Sequence, residues 1–270
     1  MKLSIITINR NNAEGLRKTM ESVLSQTYRD MEYIVVDGAS TDNSVDVIKE
    51  CINQLNNEDR SLKIDWMSEP DTGIYNAMNK GIKKATGEYL LFLNSGDFLI
   101  AQDVIARVMT QYKGADILCA RCNVSNNGKV EWTSTPPAKV TFGILYLQGL
   151  PHQATFIKRS LFETCGLYRE DLRYNSDIAF WYKSIIEHHA STEPIDVITT
   201  DYNLDGVSAQ EKYTDNFTAE QKEILAPYAL FTADYDVMKS LQGELILWSW
   251  VKRHKMVYNM VKLLYKIGKR

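Results

Sequence analysis

Apolar residues along the first hundred positions keep two rhythms. Short, mostly apolar runs, Leu3 to Ile8, Glu32-Tyr-Ile-Val-Val36 and Glu88-Tyr-Leu-Leu-Phe-Leu93, have the length of buried strands, and Leu62 to Met67 reads as a further strand. Between them, apolar positions recur in steps of three and four: Leu16, Met20, Val23 and Leu24; then Val45, Ile48, Ile52 and Leu55; then Ile74, Met78, Ile82 and Ala85. That period puts each set on one helix face. Asn11 or Asn12 stands where the first helix needs a cap, and Ser40, Thr41 and Asp42 where the second does. The order is βαβαβαβ with short connections, and right-handed crossovers make it a mostly parallel sheet with helices on both faces. Ligands of such α/β sheets sit beyond the carboxyl ends of the strands.

The pattern then loosens. A helix carries Val104, Ile105, Val108 and Met109, and Ala115 to Trp132 reads as strands around an Asn127-Gly128 hairpin turn. A loop with Pro136 and Pro137 follows, then a strand from Ala154 to Lys158, a short helix near Leu161 and a longer one from Ser176 to His188. No linker divides these parts. The reading is one α/β domain over residues 1–215, with halves 1–100 and 101–215, and a helical tail over 216–270.

Composition narrows the class. With 44% hydrophobic and 24% charged residues in 270, the chain has the makeup of a folded protein with a sizeable core. A net charge of −3 argues against general nucleic-acid binding. No run approaches the roughly 18 apolar residues of a membrane span, and the polar turn after MKLSIITIN is unlike a signal peptide, so a cytoplasmic location is expected. Four cysteines suit a reducing compartment. Cys119 and Cys122 have CxxC spacing without a second pair, in a stretch that reads as a strand running into a turn, which disfavours a zinc or redox site.

The polar residues that matter fall at strand ends. Asp37 follows Val35-Val36, and Asn94-Ser-Gly-Asp97 follows Leu93, so two acids land on the ligand edge of the sheet. Their surroundings resemble glycosyltransferase family 2, the GT-A, Rossmann-like nucleotide-sugar transferases of bacterial polysaccharide and lipopolysaccharide type. The matching segments are Ser4-Ile-Ile-Thr-Ile-Asn9, Ile34 to Ser44, Ser68 to Ile82, Ala85 to Asp97 and Pro151-His-Gln-Ala-Thr-Phe156.

The resemblance implies roles. Thr7, Asn9 and Asp37 match positions that hold the nucleotide base and ribose; a carboxylate accepts strong hydrogen bonds from a uracil-type N–H. Asp71 and Asn79 match further donor contacts, although Met78 stands where many members have Arg. Asn94 and Gly96 occupy a donor-binding, metal-linked motif that elsewhere carries acids. Asp97 remains as the ligand for Mg2+ or Mn2+, enough where diphosphate oxygens and water complete the shell. Asp177, at a helix start, matches the base that takes the acceptor proton. His152 and Gln153 match a loop near phosphate or acceptor, and Tyr202 to Ser208 a loop near the donor in which Gly206 could hinge closure. The implied activity is inverting, metal-dependent transfer from a nucleotide-sugar, a UDP-sugar in particular, to a glycan or glycolipid acceptor. The alternatives are an inactive sugar- or nucleotide-binding module and a sugar nucleotidyltransferase. The fingerprints GxGxxG and GxxxxGK[ST] are absent.

The tail changes the meaning of the net charge. Residues 239–270 carry +7, leaving −10 on the rest. Lys252, Lys255, Asn259, Lys262, Lys266 and Lys269 draw one basic stripe down a helix whose other faces are apolar, with Trp248, Trp250, Tyr258 and Tyr265 among them. That fits a helix lying on an anionic membrane surface, placing the protein peripherally on the inner face of the cytoplasmic membrane. Packing on the domain or on a second copy in a homo-oligomer is the other reading.

Overall fold

In a computed structural model, residues 2–57, 62–126, 128–203 and 215–267 are described. The chain forms two compact units, Met1–Lys222 and Glu223–Arg270. The first boundary lies seven residues beyond the expected 215, because the helix that starts at Asp215 ties back to the first unit through Phe217 and Glu220.

Strands β1 (Leu3–Asn9), β2 (Met31–Asp37), β3 (Lys63–Ser68) and β4 (Tyr89–Phe92) pair in parallel, with helices α1 (Ala13–Leu24), α2 (Ser44–Asn57) and α3 (Ile74–Lys84) between them. Every residue of β1 and β2 is buried, as expected of strands covered on both faces. Leu3, Ile5, Tyr33 and Val35 join Leu16, Met20 and Val23 of α1 in one core, while Gly81 of α3 lies against Ile6 on the opposite side. Asn12 caps α1, its Oδ1 accepting from Gly15 N at 3.1 Å. The buried face of α2 is Val47, Ile48, Cys51 and Leu55; Val45 and Ile52, assigned to it from spacing, are only half-buried.

After β5 (Phe98–Leu99) and α4 (Val104–Gln111), the sheet continues through β6 (Ile117–Asn126), β7 (Lys129–Thr133), α5 (Phe142–Leu147), β8 (Thr155–Lys158), α6 (Ser160–Thr164), α7 (Ser176–Trp181) and β9 (Thr192–Asn203). The strand order is β3-β2-β1-β4-β8-β6-β9-β5, with β7 on the side of β6. β8 is antiparallel to both β4 and β6, and this turns the parallel half into a mixed sheet. Two expectations need correction here. The helix expected over 176–188 is α-helical only to Trp181 and continues as a π-helix from Tyr182 to Glu187. Cys119 and Cys122 both lie within β6, where burial pushes the Cys119 thiol up to about 12. Asn127 of the hairpin turn lies outside the described residues.

Glu32 anchors the amino end of the sheet. Its buried carboxylate accepts from Ser4 Oγ at 2.7 Å, Thr86 N at 2.6 Å, Thr86 Oγ1 at 2.8 Å and Gly87 N at 3.2 Å, and pairs with Lys2 at 3.2 Å. Burial opposes the charge, but these donors outweigh it and hold the carboxyl at about 2.

In the second unit, α8 (Asp215–Leu225) having ended, α9 (Ala229–Arg253) and α10 (Lys255–Ile267) meet at His254, whose φ of −99° and ψ of 88° break the helix. The basic stripe therefore runs over two helices, not one. The Trp248 and Tyr258 rings lie 6.4 Å apart across that bend, whereas ten residues of straight helix would span about 15 Å. Lys269 lies outside the described residues. Among the described residues no helix is long and apolar enough to cross a membrane.

Candidate active site

The carboxyl ends of β1 and β4 open into a cleft of about 1670 Å³ within the first unit. Asn9, Asp71, Asn94, Gly96, Asp97, His152, Gln153 and Asp177 all line it. Residues scattered from Asn9 to Asp177 thus converge because the strand ends, the start of α3 and the start of α7 meet there.

Thr7, Asp37 and Asn79 do not line it, and each has a physical reason. The fully buried Thr7 hydroxyl donates to Leu93 O at 2.7 Å and accepts from Tyr33 Oη at 2.9 Å, tying β1 to β4 and β2. Asp37, also fully buried, takes four bonds: Asn9 Nδ2 at 2.8 Å and Ser40 Oγ at 2.6 Å on Oδ1, Ser40 N at 3.0 Å and Ser68 Oγ at 2.6 Å on Oδ2. Burial works against its charge, yet these donors lower its pKa below the ordinary 3.8. A carboxylate so occupied has no free edge for a base N–H; it holds Asn9 and the Ser40 loop in place. Asn79 donates to Tyr168 O and Glu170 Oε1 and accepts from Tyr168 N, stitching α3 to the 168–170 loop.

Asp71 sits over Gly38, where a Cβ would come within 2.2 Å of its Oδ2. Its carboxylate accepts from Gly73 N at 3.1 Å and faces the largely exposed Arg10 at 3.7 Å. Gly38 thus serves close approach, its φ lying outside the left-handed region.

The Asn94–Asp97 turn is clamped from α1. Asn12 Nδ2 donates to Ser95 O at 3.1 Å, and the Thr19 hydroxyl lies 3.0 Å from Gly96 N and 2.7 Å from Asp97 O. Gly96 has φ of +107°, a conformation costly for any residue with a Cβ. The backbone therefore explains why no acid stands at the middle of this motif. Asp97 lines the cleft, and Asn94 Oδ1 is buried with no hydrogen-bond partner among the described residues. One carboxylate and one unsatisfied amide oxygen suit a hard divalent cation whose other ligands are diphosphate and water. Among the described residues no group of three His, Cys, Asp or Glu side chains forms a complete metal cage.

From Asn94 a series of contacts crosses the cleft floor. Asn94 Nδ2 lies 3.2 Å from His152 Nε2, His152 Nδ1 lies 3.3 Å from Asp177 Oδ2, and Tyr75 Oη lies 2.9 Å from Asp177 Oδ1 and 2.7 Å from Tyr174 O. Burial disfavours a charged imidazole at His152. The hydrogen bond and charge of Asp177, with Asp97 behind them, outweigh it and raise its pKa above 6.5. Burial, joined by the charge of Asp177, pushes the Tyr75 hydroxyl well above 10, so it stays a donor. Asp177 Oδ1 also accepts from Ile178 N at 2.9 Å. Of the roughly four acceptor positions on a carboxylate, three are engaged, and Oδ2 keeps one for a ligand.

Two cleft residues, Tyr75 and Trp132, carried no assigned role in the sequence reading, and a third, Tyr202, is placed differently. Tyr75 sits in a quoted motif, but only its contact with Asp177 reveals it. Trp132 of β7 lines the cleft with 57% of its surface exposed. Tyr202, expected to open a loop near the donor, lies instead within β9, where it pairs with Val124 of β6, and its hydroxyl is pushed up to about 12 by burial and by the charges of Asp97 and Asp177. Gly206 of that loop lies outside the described residues.

Comparison with known proteins gives this geometry its family. Residues 4–174 match Glycosyl transferase family 2. Over 216 residues the chain is 30% identical to an uncharacterized glycosyltransferase of Mycobacterium tuberculosis (strain ATCC 25618 / H37Rv), covering 78% of each chain. It is also 30% identical over 203 residues to a PGL/p-HBAD biosynthesis glycosyltransferase of Mycobacterium bovis (strain BCG / Pasteur 1173P2), covering 74% of this chain and 76% of that one. Among solved structures, S. aureus TarS 1–349 in complex with UDP-GlcNAc aligns with a TM-score of 0.63 at 21% identity, over 84% of this chain and 66% of that one. In another crystal structure of that TarS fragment the chain spans 60% of its length. A mannosyltransferase from Pyrobaculum calidifontis in complex with GDP-Man and Mn2+ aligns at 0.54 and 18% identity, over 73% of this chain and 55% of that one. The sheet with its two layers of helices is the GT-A fold these structures share, and the chain belongs to glycosyl transferase family 2.

Proposed function

We propose that the cleft transfers a sugar from a nucleotide-sugar, a UDP-sugar, to a hydroxyl of a glycan or glycolipid acceptor, with inversion at the anomeric carbon. The observation that carries this reading is the placement of Asp177. Its carboxylate is held by His152, Tyr75 and Ile178 N, opens one acceptor position to the cleft, and is linked through His152 to the Asn94–Asp97 turn.

Donor recognition is assigned to Asn9, Asp71, Asn94 and Gly96, with Thr7, Asp37 and Asn79 shaping those contacts from behind. Arg10, exposed at the cleft edge, supplies positive charge toward a diphosphate. Asp97 and Asn94 would hold Mg2+ or Mn2+, which when bound neutralises charge on the departing diphosphate. Asp177 accepts the acceptor hydroxyl's proton as the new bond to the anomeric carbon forms and the bond to the diphosphate oxygen breaks. An aspartate is a weak base for an alcohol, but the hydroxyl becomes acidic as it bonds, so late transfer is feasible. Gln153 and His152 border the acceptor path, and Trp132 offers an aromatic face on which a pyranose ring would stack.

The test is release of nucleoside diphosphate from a panel of UDP-, GDP- and dTDP-sugars, with Mg2+, Mn2+ or EDTA. Metal-dependent UDP release supports the reading; binding without release in every case would make the chain a binding module instead.

The second unit supports a peripheral membrane location on the cytoplasmic side. Exposed Leu230, Phe231, Leu247, Trp248 and Trp250 on α9 and Met256 and Met260 on α10 accompany Lys252, Arg253, Lys255 and Lys262. Each basic residue near an anionic surface contributes about 1 kcal/mol. Flotation with phosphatidylglycerol vesicles should lose the protein when Lys252, Lys255 and Lys262 become Glu; unchanged flotation would favour protein contact, including a second copy of the chain.

A further inference from the structure

Asp177 lies in the first turn of α7, after a chain turn that nothing in the sequence explains. Arg173, Tyr174 and Asn175 point three successive backbone N–H groups at one place, and a carboxylate fills it. Glu220 of α8 accepts from Arg173 N at 2.6 Å on Oε1, and from Tyr174 N at 3.0 Å and Asn175 N at 3.1 Å on Oε2. Asn175 Nδ2 gives the carboxylate its fourth bond, the third on Oε2, at 3.1 Å, and reaches Phe217 O at 3.3 Å. Backbone N–H groups converging on an anion form a concavity of fixed shape, and bonds to an ionised acceptor are stronger than neutral ones.

The arrangement has a cost at α7. Asn175 stands at the N-cap, where its side chain would normally accept from the first turn, yet it makes no capping bond and is fully buried. Its amide is turned to α8 instead. The Tyr174 carbonyl and Asp177 Oδ1 share the Tyr75 hydroxyl, at 2.7 and 2.9 Å. Displacement of the Arg173–Asn175 turn would therefore carry the Tyr75 contact and the carboxylate of Asp177 with it.

We propose that Glu220 is a positioning residue for transfer: it locks the turn that presents Asp177, making α8 the latch of the acceptor base. This rests on the reading of Asp177 as the base. Glu220 does not line the cleft. Its loss should misplace the base while leaving nucleotide affinity alone, and a misplacement of about 1 Å can cost roughly 100-fold in rate.

The experiment compares full-length wild type, Glu220→Gln, Glu220→Ala, Asp177→Asn and the Glu220→Ala/Asp177→Asn double variant. Three quantities are read: UDP affinity with Mn2+ by calorimetry, UDP release from UDP-glucose, UDP-galactose, UDP-GlcNAc and UDP-GalNAc, and hydrogen exchange of peptides covering 173–181. For Glu220→Ala, exchange in 173–181 should rise at least tenfold with sheet peptides unchanged, UDP affinity should stay within twofold, and the turnover rate should fall roughly 10- to 100-fold. Glu220→Gln, which keeps one accepting oxygen, should fall between. In the Asp177→Asn background the Glu220→Ala change should have no further effect on rate, because both act through one group; a merely structural role would lower the two backgrounds alike. Unchanged exchange in 173–181, or a Glu220→Ala rate at the wild-type value while Asp177→Asn is slow, overturns the latch. If no UDP-sugar is turned over, or Asp177→Asn matches wild type, the reading of Asp177 as a base fails, and the exchange result still decides whether Glu220 orders the turn.

Discussion

Replacing Glu32 by Gln removes a buried charge at the end of the sheet far from the chemistry, which makes it a clean test of how the fold is held. The carboxyl is held at about 2 against an ordinary 4.5. At 1.36 kcal/mol per pH unit this difference corresponds to about 3 kcal/mol of stability supplied by the ionised form. The contribution is full above the unfolded value of 4.5 and is lost as pH falls through that value toward 2, because below both values folded and unfolded chains are protonated alike. Urea unfolding followed by tryptophan fluorescence, for wild type and Glu32→Gln from pH 7 down to pH 3, measures it. The gap should be about 3 kcal/mol at pH 7 and should shrink steadily below pH 4.5. A gap that stays constant with pH, or is below about 1 kcal/mol at pH 7, would refute the hydrogen-bond account of Glu32.

Other changes separate scaffold from site. Asp37→Ala strands Asn9, Ser40 and Ser68 donors in the interior and should cost roughly 3 kcal/mol in the same unfolding assay, whereas a direct ligand role without structural duty would leave stability within about 0.5 kcal/mol. Gly96→Asp restores an acid at the middle of the metal-linked motif, yet it should lower metal-dependent UDP release, because φ of +107° strains any side chain there; higher turnover would show that charge outweighs backbone geometry. Trp132→Ala should raise the acceptor KM roughly tenfold, equivalent to about 1.4 kcal/mol, with donor KM unchanged, and an unaltered acceptor KM would remove Trp132 from the sugar path.

The parallel half was legible because β1, β2 and β4 are buried along their whole length and its helices carry regular apolar stripes. The second half was less so. β9 went unread although Ile195, Val197 and Thr199 face inward while Pro194 and Asp196 face outward, because a proline and several threonines blur an otherwise regular alternation. At the site, position along the chain brought Asp97 to the right edge of the sheet, and the family resemblance added Asp71 and His152. Neither could reveal that Asp37, equally well placed at a strand end, and Thr7 within β1 spend their hydrogen bonds inside the protein. Glu220 had no trace in the sequence at all: its partners are backbone N–H groups, which every residue but proline carries. The missing acid at the middle of the motif, visible from the start, acquires a physical reason only from the backbone at Gly96.

The central claim is that Asp177 takes the acceptor's proton during sugar transfer in this cleft. The most direct measurement is the rate of UDP release from a turned-over UDP-sugar, with Mn2+ at saturating donor, for wild type and Asp177→Asn side by side. The account predicts a fall of roughly 100- to 10,000-fold with UDP affinity preserved. Release at the wild-type rate by Asp177→Asn would contradict it.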